Sequence, residues 1–107
     1  MKIDMNQTIT NFDGTVLKDE QGREHTLGTI CIIGLLNTPV KPGTKDEGTI
    51  KYERYKLAKK IDDLETAEME LSVEDVVMLK QIISEKFATI VVGQALDMLE
   101  GVKENGE

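Results

Sequence analysis

Aromatic side chains are scarce, with two phenylalanines and two tyrosines among 107 residues. A core must therefore be assembled mainly from Leu, Ile, Val and Met, and at 39% hydrophobic content it is adequate but open to completion by a partner. Cys31 is the single cysteine, so no intramolecular disulfide can form. It lies within Ile30-Cys31-Ile32-Ile33 and reads as a buried structural thiol, because a reactive thiolate needs a neighbouring histidine or a helix start to stabilise it. His25 is the single histidine. Acid–base chemistry requires a second, positioned group, and Glu24 alone does not supply one, so His25 reads as a surface or helix-entry residue. No phosphate-binding loop, metal-ligand cluster or nucleophile arrangement is legible. An enzyme is not expected, and neither is a cofactor or a metal. No continuous apolar stretch follows Lys2 and no run reaches membrane-spanning length, so the expectation is an intracellular protein without signal peptide or membrane segment.

Charge, by contrast, is plentiful and uneven. Twenty acidic side chains against 13 Lys and Arg give a formal charge of -7, which opposes attraction of the whole chain to nucleic acid or an anionic membrane. Yet Lys51, Arg54, Lys56, Lys59 and Lys60 face only Glu53 between Ile50 and Lys60. That stretch is +4, which leaves -11 of the total -7 for the rest.

A chain of this length fits one domain, and the reading is a compact unit over residues 1–101 with a frayed tail at 102–107. Ile3, Met5, Gln7 and Ile9 alternate with Asp4, Asn6 and Thr8, the period of a strand with one buried face. Asp13-Gly14 and Gln21-Gly22 each offer a tight turn, so an antiparallel hairpin or meander is expected at the start. Thr26 can cap a helix over 27–36, whose apolar surface runs nearly all round. A buried strand is the alternative there, since Ile30, Ile32 and Ile33 are β-branched. Pro39 and Pro42 mark a loop. Ile50, Leu57, Ala58, Ile61 and Leu64 form one helical stripe over 47–64, with Tyr52 and Tyr55 beside it. Residues 62–70 read as an acidic connection. Ser72 then caps a long helical segment from Leu71 to Gly101, with Val73, Val76, Val77, the Lys80 stem, Ile83 and Phe87 inward and a bend near Phe87-Ala88-Thr89. Gly101 is placed as its C-terminal cap. No internal repeat is legible. The resulting fold class is α+β, a short N-terminal antiparallel β-hairpin or meander followed by a bundle of three to four helices.

Binding ranks above catalysis, and the candidate partner-binding residues are Lys51, Arg54, Tyr55 and Lys59 on the basic helix with Asp62, Asp63 and Glu65 after it. Such polarity can orient the chain on an acidic partner or on another copy of itself, whereas a solvated helix face is the simpler reading. Direct nucleic-acid binding is not expected, because no reading motif accompanies the basic residues. The acidic cluster from Asp62 to Glu70 lacks the spaced oxygen ligands and glycine of an EF-hand. Met5, Met69, Met78 and Met98 are scattered and read as core fillers. Gly93 and Ala95 would allow a close helix approach in the core or at an oligomer seam.

Lys2-Ile3-Asp4, Asp13-Gly14, Thr26-Leu27-Gly28, Arg54-Tyr55-Lys56-Leu57-Ala58, Leu71-Ser72-Val73-Glu74-Asp75 and Val91-Val92-Gly93-Gln94, in this order, resemble small acidic proteins encoded by tailed bacteriophages and prophages. The resemblance covers most of the chain and implies a phage context without an activity. The expectation is a phage assembly or accessory factor that binds a structural or assembly protein, in the host-cell cytoplasm or on the virion, with homo-oligomerisation open. The alternative is an acidic inhibitor of a host nucleic-acid enzyme or defence system acting in host takeover.

Overall fold

The computed structural model describes residues 1–101; the tail expected at 102–107 lies outside the described residues. The elements are β1 (Lys2–Asp4), α1 (Leu27–Asn37), α2 (Glu47–Asp62), β2 (Glu68–Glu70), α3 (Val73–Lys86) and α4 (Thr89–Leu99). This is an α+β fold with four helices.

The first quarter of the chain reads its turn signals as expected but closes differently from a flat meander. The Ile9 N–H donates to the His25 carbonyl at 2.9 Å, Leu17 to Ile9 at 2.8 Å and His25 to Leu17 at 2.8 Å, a closed ring of backbone hydrogen bonds. Around it, the bridges Thr10↔Val16, Lys18↔Glu24 and Thr8↔Thr26 recur every eight residues. The turns match too: Gly14 donates to the Asn11 carbonyl and Gly22 to the Asp19 carbonyl, each at 3.0 Å. Both glycines sit at positive φ, +89° and +82°, where a Cβ is strained. This is an internal repeat that the side chains conceal, since Phe12 and Glu20, Asp13 and Gln21, and Thr15 and Arg23 occupy equivalent positions. The expected strand over residues 3–9 shortens to β1 because its continuation feeds this ring.

β1 pairs antiparallel with β2, Ile3 opposite Met69, and both of these face inward. β2 falls within the stretch read as an acidic connection. Glu68 and Glu70 point outward while Met69 is buried, so a strand of this length left almost no pattern in the sequence.

α1 occupies the middle of the molecule. The Thr26 hydroxyl accepts from the Thr29 N–H and the Thr29 hydroxyl accepts from the Thr26 N–H, a reciprocal cap that starts the helix. Leu27, Ile30, Cys31 and Leu35 are buried, and α2, α3 and α4 all pack against this helix. The helical reading of 27–36 holds; burial on several sides explains the β-branched composition that also suits a strand. On α2 the stripe Leu57, Ala58 and Ile61 is buried and Ile50 half-buried; the helix ends at Asp62, so the half-buried Leu64, expected on it, lies in the connection that follows.

The long C-terminal segment is two helices. Phe87 and Ala88 adopt extended backbone at φ -111° and -70°, which ends α3 and admits α4 at a new angle. The inner face of α3 is Val76, Leu79, Ile82 and Ile83, whereas Val73 and Val77 are exposed, so the stripe lies rotated from the one expected. Ser72 caps α3 together with Asp75, and Gly101, at φ +81°, follows α4. The buried residues join in one apolar cluster from Ile3 to Leu99. Among the described residues no helix is long and apolar enough to cross a membrane.

Candidate functional site

The predicted binding residues all lie on α2 or just after it, but they do not act alike. Arg54 turns inward: its Nη1 donates to the Thr38 carbonyl at 2.8 Å and its Nε is buried. It therefore ties α2 to the end of α1, and its charge is partly spent on that link. Lys51 and Lys59 are exposed, with carboxylates of the same helix or its cap nearby, Glu47 at 3.0 Å and Asp63 at 3.5 Å. Pairs this exposed contribute little stability and leave both charges available. Tyr55 is half exposed and stands between two clefts, one of about 290 Å³ toward Thr38 and Val40 and one of about 320 Å³ toward Ile32 and Ala58. Asp62 and Glu65 border a third cleft with Met5 and Thr29.

A larger groove lies on the opposite ends of the chain brought together. It encloses about 670 Å³ between the first turn and α4, lined by Thr10, Phe12, Thr89, Ile90, Gly93 and Asp97 among others. Gln94 holds its two walls in register. The Gln94 Oε1 accepts from the Thr10 N–H at 2.9 Å, and its Nε2 donates to the Thr10 carbonyl at 2.8 Å. Gly93 forms open floor, because a Cβ there would meet nothing within 4 Å. The close helix approach expected of Gly93 is absent, while Ala95 is fully buried.

Phe12 stands at the rim of this groove with 98% of its surface exposed. The eight-residue repeat supplies an internal comparison: the equivalent turn position holds the exposed Glu20. The turn itself therefore makes no demand for an aromatic residue. Sequence reasoning marked the Asp13-Gly14 turn but did not single out Phe12 beside it. The signal was the mismatch between an apolar residue and its location immediately before Asp13-Gly14 at a turn.

The turns are held by carboxylates. Hydrogen bonds from the Thr15 hydroxyl, at 2.6 Å, and the Thr15 N–H hold Asp13 below its ordinary pKa of 3.8. The Arg23 N–H, followed by the Arg23 side chain and the Gln21 N–H, does the same for Asp19. Cys31 is fully buried, and desolvation pushes its thiol up to about 12, so it is not a nucleophile in the folded chain. His25 lies at the helix entry, half-buried, its backbone closing the ring. Among the described residues no three His, Cys, Asp or Glu side chains group where they could hold a metal ion.

Comparison with known proteins gives no matching family model, curated protein or solved structure.

Proposed function

We propose that this chain is a small non-enzymatic bacteriophage protein, an assembly or accessory factor that works by binding another protein. The observation that carries the binding reading is Phe12, 98% exposed beside an open groove of about 670 Å³. Burying such a side chain is worth roughly 1.5–3 kcal/mol, a gain that the isolated chain leaves unused and a partner can take. Gln94 keeps the groove preformed, which lowers the ordering cost of binding. The phage context rests on the resemblance of the ordered sequence motifs, and with it the host-cell cytoplasm or the virion is the proposed location.

The test is affinity capture from phage-infected cells followed by mass spectrometry, comparing the natural chain with Phe12→Ser. A virion or morphogenesis protein captured by the first and lost by the second is the expected result. Capture of no phage protein, or capture indifferent to Phe12, counts against the proposal. The inhibitor reading rests on the charge of -11 outside the basic stretch, with the exposed Asp62, Asp63 and Glu65 as its candidate site. It gains ground if a host nucleic-acid enzyme is captured and is released by neutralising Asp62, Asp63 and Glu65.

A further inference from the structure

On α2, Gly48, Lys51, Tyr55, Ala58 and Asp62 are spaced alternately by three and four residues, which aligns them along one side of the helix. That side borders α1 at Ile32 and Leu36 across the cleft of about 320 Å³ that Tyr55, Ala58, Lys59 and Asp62 also line. Its apolar part is open, with Leu36 55% and Tyr55 52% exposed. Its charges are opposite at the two ends. Lys51 lies near the start of the helix and Asp62 is its last residue, separated by about 16 Å of helix rise.

This line is complementary to itself in the antiparallel sense. A two-fold axis perpendicular to α2, passing between Tyr55 and Ala58, carries Lys51 onto Asp62 and Tyr55 onto Ala58. Both pairs share that midpoint, so one rotation satisfies both. Each Lys51 then meets an Asp62, and each large Tyr55 meets a small Ala58 at the floor of the facing cleft. The parallel arrangement would oppose Lys51 to Lys51 and Asp62 to Asp62. Asp62 takes part in none of the ion pairs seen among the described residues; Lys51 has Glu47 of its own helix at 3.0 Å, an exposed pair that leaves its charge available, and Lys59 and Asp63 remain beside Asp62 as a polar rim.

We propose that a second copy of this chain docks here, forming a two-fold symmetric dimer through antiparallel α2 helices, with Tyr55 seated over Ile32, Leu36 and Ala58 of the other copy. The charge complementarity of this one line of residues, Lys51 against Asp62, with its own reversed image selects this occupant, and an isologous interface closes at two subunits. The dimer is independent of the Phe12 groove.

Sedimentation equilibrium over a concentration series tests it. The expected mass is twice the chain mass of 11.9 kDa. Lys51→Glu and Asp62→Lys, each exposed and each making two symmetric contacts repulsive, should weaken dimerisation about tenfold or more. The double variant K51E/D62K should restore it, an outcome that a folding defect cannot produce. Tyr55→Ser should also weaken the dimer, and Phe12→Ser should leave it unchanged. A monomeric natural chain, single variants without effect, or a double variant no tighter than the singles overturns the proposal. So does a monomer whose capture of a phage protein is abolished by Lys51→Glu, because the face then belongs to a different partner.

Discussion

Gly34 and Gly93 are both glycines inside helices, where alanine is ordinarily preferred by about 1 kcal/mol. Their surroundings set opposite expectations. A Cβ on Gly34 would stand 2.9 Å from the Cγ2 of Ile82 and 3.7 Å from Phe87. Ile82 is buried and its methyl cannot swing away, so α1 and α3 would have to separate. Overpacking of this kind costs about 1–3 kcal/mol. Gly34→Ala should therefore lower stability by about 1 kcal/mol after the propensity gain is deducted. Gly93→Ala meets open space and should raise it by about 0.5–1 kcal/mol. Thermal or urea unfolding of the two variants checks both signs. A stabilised Gly34→Ala would show that the two helices are not in contact there.

Among the elements, the paired turns answer to pH, as does Glu70 on β2, whose carboxyl the N-terminal ammonium holds below its ordinary pKa. Asp13 and Asp19 are both held below their ordinary pKa of 3.8 by donors in their own turns. A depressed folded pKa means that their stabilisation is fully present above about pH 4 and is lost as the pH falls through the folded values. Melting temperature should accordingly drop on acidification below pH 4. The double variant Asp13→Asn and Asp19→Asn should be less stable at neutral pH and flatter in acid. The same turns show what can be read in a linear chain. Asp13-Gly14 and Gln21-Gly22 announce them because glycine at positive φ is a local requirement. The ring that joins them is not announced, because backbone hydrogen bonds between Ile9, Leu17 and His25 leave no side-chain trace. Thr26 and Ser72 mark two helix starts through their capping hydroxyls, whereas α4 starts at Ala88 without a side-chain cap, and its separation from α3 looks like a bend. β2 is legible only through its pairing with β1. At the candidate site, the basic character of α2 is visible in composition, but that Arg54 is tied to Thr38 and that Phe12 is exposed are facts of packing.

For the molecule as a whole, the β1–β2 pair ties the start of the chain to its later half, alongside the packing of β1 on α4 and the Gln94–Thr10 clamp. Met5 donates to the Ala67 carbonyl at 2.9 Å and Leu71 to the Met1 carbonyl at 2.8 Å, extending the β1–β2 pair on both sides. Everything from the turn ring through α2 lies inside the loop this seam closes. Long loops carry a larger closure entropy than the local contacts within them, and two strands of three residues return few hydrogen bonds for it. During folding the helices should therefore dock before the seam is stitched, and in the native state the seam should open ahead of the core. Hydrogen exchange followed by NMR should find the Met5 and Leu71 amides exchanging well before those of Ile30 and Cys31; equal protection would place the seam in the same cooperative unit as α1. An opening of this sort bares the backbone of β2 for moments at a time, leaving a short vacant lane into which a strand from another polypeptide can add.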